Sequence, residues 1–95
     1  MYSNELIGES SFTAIDGRVL ALQYYLTSNV SSELQKEIYG LRIVLRDDST
    51  KEEETLNGLG ESKEYVKDIG EIMLRNIVTP ISAVYVADDL LSTAY

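Results

Sequence analysis

Two guanidinium groups four residues apart, Arg42 and Arg46, fall on one side of a segment in which apolar residues alternate. Tyr25 and Gln23 stand two apart on the alternating segment before it. If those segments pair, Arg forks beside an aromatic ring and an amide form a surface for an anionic metabolite or a signalling nucleotide. The same four side chains equally suit the solvated outer face of a sheet. The carboxylates of Asp47-Asp48, Glu52-Glu53-Glu54 and Asp88-Asp89 are the right donors for Mg²⁺ or Ca²⁺, but none has EF-hand spacing. On a helix Asp88 and Asp89 would diverge by about 100°. No metal site is expected. With 0 His and 0 Cys, the imidazole base, the thiolate nucleophile, disulfides and Cys/His metal sites are excluded. A carboxylate pair can run glycoside hydrolysis only inside a cleft, which a 95-residue chain has little material to build. Gly58-x-Gly60 lacks a third glycine and a following Lys, so neither a dinucleotide nor a P-loop site is supported. The chemistry therefore points to a non-enzymatic protein without a cofactor.

The elements that must hold these groups read as strands followed by helices. Asp16-Gly17, between Phe12–Ile15 and Arg18–Thr27, predicts a hairpin with a two-residue type I′ turn. That register pairs Ile15 with Arg18 and Thr13 with Leu20, and puts Phe12 opposite Ala21 on the outer face. Leu20, Leu22, Tyr24 and Leu26 form the core stripe of the second strand, opposite Val19, Ala21, Gln23, Tyr25 and Thr27. After a polar loop over Ser28–Gln35, a third strand turns Tyr39, Leu41, Ile43 and Leu45 to the core and Arg42 and Arg46 outward. A turn at Asp47–Thr50 leads through Glu52–Glu54 to a short edge strand over Thr55–Leu59.

From Gly60 the apolar period becomes helical. Tyr65, Val66, Ile69, Ile72 and Met73 share one side, Ser62 is the expected N-cap, and Gly70 is a position for close packing on the sheet. Asn76 is the expected left-handed stop, and Thr79-Pro80 opens a second helix. That helix carries Ile81, Val84, Tyr85 and Leu91 on one face and Ala83, Val86, Ala87 and Leu90 on another. The plan is one α+β domain over residues 1–95: an antiparallel meander of three to four strands at about 9–59, then helices at about 62–77 and 80–94 on one sheet face.

Eight basic against 16 acidic residues give net charge −8, the reverse of what binding a phosphate backbone requires. The charge is uneven: residues 1–46 hold 4 bases and 5 acids, residues 47–95 hold 4 and 11. No basic leader opens the chain and no apolar run is long enough to span a bilayer, so a cytoplasmic protein with neither nucleic-acid nor membrane partners is expected. The last helix is apolar around so much of its circumference that a homo-oligomer is expected, with Val84 and Leu90 at the contact. Glu52, Glu53 and Glu54 would present charge to a basic partner.

Tyr24-Tyr25-Leu26, Ile38-Tyr39-Gly40-Leu41, Thr79-Pro80-Ile81 and Val86-Ala87-Asp88-Asp89-Leu90-Leu91 resemble motifs of a family of short, functionally uncharacterised bacterial proteins of spore-former or phage type, over about residues 20–92. In that pattern a His follows the proline by a few residues, and Ala83 stands near its place. The resemblance implies a small intracellular accessory protein and no activity. Two functions follow as expectations: a regulatory or inhibitory protein-binding module, or a protein that sequesters an anionic ligand, with phage anti-defence as one setting for the latter.

Overall fold

The computed structural model describes residues 3–31 and 35–92. Strands β1 (Ser3–Thr13), β2 (Val19–Ser31), β3 (Lys36–Arg46) and β4 (Lys51–Gly60) form one antiparallel sheet in sequence order, followed by helices α1 (Lys63–Arg75) and α2 (Pro80–Ser92). This is the α+β meander that alternation and period predict, though three elements are longer than their local signals. β1 starts at Ser3, β2 runs to Ser31, and β4 takes in the acidic triplet from Lys51 onward. Glu33, in the expected loop, lies outside the described residues.

Both helices lie against one face. Leu22, Tyr24 and Leu26 of β2, Leu41 and Ile43 of β3, and Leu56 of β4 meet Val66, Ile69 and Met73 of α1 and Ala83 and Ala87 of α2. Gly70 permits the close approach: a Cβ there would stand 2.8 Å from both Ile7 Cδ1 and Leu41 Cδ2. At the far end of the sheet β4 bulges, with three residues between Leu56 and Gly60 facing the single Gly40 of β3. The Leu56 carbonyl oxygen occupies the space a Cβ of residue 40 would need, so glycine is required there.

The first hairpin corrects the expected register. The Gly17 N–H donates to Ala14 O and the Ala14 N–H to Arg18 O, with Gly17 at φ +90°, so three residues form the loop: a type I turn closed by a left-handed glycine. Phe12 consequently pairs with Leu20 rather than Ala21. A slip of one residue exchanges the faces, and Phe12 moves from the outer surface to the edge of the core. A bulge at Ile7 restores the alternation towards the start of β1, setting Leu6 opposite Tyr25 on the outer face.

Ser62 caps α1 as expected, its Oγ accepting from the Tyr65 N–H at 3.3 Å. The stop differs. Asn76 is at φ −94°, and the left-handed residue is Ile77 at φ +53°. The Ile77 N–H donates to Leu74 O and the Val78 N–H to Met73 O, the paired bonds of a Schellman motif. Val78 is thereby buried, and its carbonyl accepts from the Tyr24 hydroxyl at 2.6 Å, tying the interhelical turn to the middle of the sheet. Burial pushes the Tyr24 phenol well above its usual pKa, so it remains a donor.

Candidate functional site

The outer sheet face brings together three of the four residues singled out for a ligand. Arg42 and Tyr25 are direct cross-strand neighbours, and the guanidinium carbon sits 5.4 Å from the Tyr25 ring centroid. The Tyr25 hydroxyl donates to Gln23 Oε1 at 3.4 Å, and Gln23 Nε2 donates to Glu9 Oε2 at 3.1 Å. The guanidinium fork, however, is taken. Arg42 Nε donates to Glu53 Oε1 at 2.8 Å and its second terminal nitrogen to Glu53 Oε2 at 2.9 Å, a bidentate pair that an incoming anion would have to displace. The Arg42 hydrogen bonds, seconded by Lys51, hold the Glu53 carboxyl down at about 2, from an ordinary 4.5. Arg46 lies apart, exposed at the end of β3, opposite Ala21 on one side and Lys51 on the other.

Sequence reasoning misses Glu53 as a member of this network because it starts the edge strand at Thr55 and leaves the acidic triplet as its entry, whereas β4 begins at Lys51. Inside β4 its members part company: Glu53 points outward, while Glu52 and Glu54, opposite Leu45 and Ile43, share the face that carries the helices. The readable signal was the four-residue turn Asp47–Thr50, which sets Arg46 opposite Lys51 and so brings Glu53 beside Arg42.

Asp47 also has a definite task. Its Oδ1 accepts from the Ser49 and Thr50 N–H groups at 2.8 and 2.7 Å, which closes the β3–β4 turn. Its Oδ2 accepts from Arg18 at 2.8 Å, and Arg18 also bonds Asp16, so the two neighbouring turns are stapled together. Those backbone bonds hold the Asp47 carboxyl far below the usual carboxylate range. A cleft of about 520 Å³ opens beside this staple, lined by Gly17, Arg18, Val19, Ala21, Arg46, Asp47 and Asp48. Among the described residues no group of three or more carboxylates is placed to hold a metal ion.

On the other side of the molecule α2 is two-faced. Ala83 and Ala87 are buried, and Val86, Leu90 and Leu91 pack partly against the core. Leu90 is therefore a packing residue of this chain, whereas Val84 faces outward. Ile81 is 80 % exposed and Tyr85 74 % exposed. Ile81, Tyr85 and Asp88 follow one another at helical spacing of four and three residues, with Val84 alongside, so the exposed stripe is apolar and ends on a carboxylate. Glu52, Glu53 and Glu54 with Pro80 and Ile81 line a shallow depression of about 290 Å³ at the start of α2.

A family model described as a family of unknown function (DUF6514) matches residues 3–93. The chain belongs to that family. Comparison with curated proteins and with solved structures gives no match. The DUF6514 match covers all six elements, so the sheet, the Arg42–Glu53 pair and α2 lie within one family unit. Among the described residues, no helix of this DUF6514 chain is long and apolar enough to cross a membrane.

Proposed function

We propose that this chain is a non-enzymatic accessory protein that acts by contact with other protein, that α2 carries the contact, and that the protein self-associates through it. The observation that supports this reading is the exposed stripe Ile81, Val84 and Tyr85 on a helix whose opposite side is already packed in the core. Large apolar side chains grouped on one ordered face are what protein interfaces bury, and an exposed tyrosine is a common anchor there. The carboxylates of Glu52 and Glu54, which share a depression with Ile81, and of Asp88 at the end of the stripe favour a partner surface that carries cations. A regulatory or inhibitory role in the cytoplasm is the setting this reading takes.

The ligand-sequestering alternative has less to rest on, because Arg42, its central cation, is already neutralised by Glu53. Two variants test the protein-binding reading. Tyr85→Glu should lower the molar mass measured by light scattering and leave the melting temperature in place, since the side chain is exposed. Leu90→Glu should lower the melting temperature, because it puts a carboxylate into partly buried packing. A Tyr85→Glu variant with the mass of the unmodified protein contradicts the assignment of α2.

A further inference from the structure

The same chain carries a surface that complements its own α2 stripe. The outer sheet face carries Arg42, Arg46 and Lys51 against two carboxylates, Glu53, which takes both Arg42 and Lys51, and Glu9, which accepts from Gln23. Cations thus outnumber carboxylates on this face, in a molecule whose net charge is −8. Arg46 and Lys51 are direct cross-strand partners; Lys51 turns to Glu53 at 3.3 Å, and Arg46 stands exposed at the end of β3. Apolar surface adjoins them: Ala21 is the other cross-strand neighbour of Arg46, and Val19, two residues away, is 65 % exposed. Val19, Ala21 and Arg46 share the cleft of about 520 Å³ with Asp48 and with the Arg18–Asp47 pair, whose charges offset each other. This sequence of groups, apolar then cationic, is the counterpart of the α2 stripe, which runs from Ile81 through Tyr85 to Asp88.

We propose that α2 of one copy docks on the outer sheet face of the next, with Tyr85 against Val19 and Ala21 and Asp88 towards Arg46 and Lys51, so that the protein assembles head to tail. The inference rests on the reading of α2 as a protein-binding face and adds the identity of what it binds. Because α2 and the outer face lie on opposite sides of the sheet, a symmetric pair of copies cannot make both contacts. The contact is heterologous and builds a ring or a chain of copies.

Two one-sided variants decide it, since each disables one surface and leaves the other intact. Tyr85→Glu disables the helix stripe. Arg46→Glu disables the sheet face and places a carboxylate opposite Lys51, a favourable cross-strand pair, so it should fold at least as firmly as the parent; circular dichroism melts confirm the fold of both. The expected result at about 100 µM, high enough to populate an interface of micromolar affinity, is that each variant alone sediments at the 10.6 kDa of one chain. Their equimolar mixture should give a species of twice that mass and nothing larger. If Tyr85→Glu dissociates the protein and Arg46→Glu does not, α2 binds something other than the sheet face, and head-to-tail docking is overturned while α2 stays an interface. A mixture that remains at 10.6 kDa overturns it too. If the unmodified protein is itself monomeric, the self-association in the underlying reading fails with it.

Discussion

At the residue scale, Glu53 shows how one side chain can decide what a surface is for. Its carboxylate converts Arg42 from a cation free to grip an anion into half of a neutral fork, stacked on Tyr25. Because Arg42 holds the folded-state value near 2, below the ordinary 4.5, the stabilisation is present above about pH 4.5 and is lost as pH falls towards 2. Asp47, held low by the Ser49 and Thr50 N–H groups, acts in the same direction. A series of thermal melts from pH 6 to pH 2 should therefore show the melting temperature falling below about pH 4.5. In Arg42→Gln that fall should be shallower, and equal slopes for the two proteins would show that the pair contributes nothing to folding. Tyr24 offers a test in the core. Tyr24→Phe keeps the ring but leaves the Val78 carbonyl without its donor, at an expected cost of about 1–2 kcal/mol in a urea titration.

At the element scale, what was legible followed from period and what was not followed from turn geometry. The alternation of Leu22, Tyr24 and Leu26 against Leu41 and Ile43 identified the core face, and Ser62 and Thr79-Pro80 marked the helix starts. Asp16-Gly17 is compatible with a two-residue and a three-residue hairpin, and only the Ala14–Arg18 bond distinguishes them; that one residue moved Phe12 across the sheet. The helix stop fell on Ile77 rather than Asn76 because Schellman bonding and burial of Val78 outweigh the usual reluctance of a β-branched residue to enter the left-handed region. Glycines separate two kinds of close approach. Gly70→Ala gains about 1 kcal/mol of helix propensity and meets only the tips of Ile7 and Leu41. Gly40→Ala meets the backbone oxygen of Leu56, which cannot yield without moving β4. Gly40→Ala should therefore be the more destabilising, by at least about 1 kcal/mol in chemical denaturation; the reverse order would mean that the β4 bulge is soft.

At the scale of the whole molecule, the fold divides the charges of β3, β4 and α2 between two faces. The sheet meander gives its outer face Arg42, Arg46 and Lys51 with only Glu9 and Glu53 among them, while Glu52 and Glu54 are turned to the opposite face, where α2 carries Asp88 and Asp89. None of this segregation is visible in a net charge of −8, because it depends on the register of β4. The exposed side of α2 was legible as an excess of apolar positions, but which face would be buried was settled by the small residues Ala83 and Ala87, which let the helix approach the sheet and leave Ile81 and Tyr85 outside. Glu52→Gln with Glu54→Gln tests the rim without touching the Arg42 fork: the double variant should keep its melting temperature and associate more slowly at low salt, with the difference shrinking above about 0.1 M, where screening is strong. Equal association rates at low salt would make those carboxylates ordinary solvated groups.

The central claim, that α2 is a surface through which this protein binds its own kind, is tested most directly by sedimentation equilibrium of the unmodified chain. From low to high micromolar concentration the weight-average mass should rise reversibly above the 10.6 kDa of one chain. A constant 10.6 kDa over that whole range would contradict it.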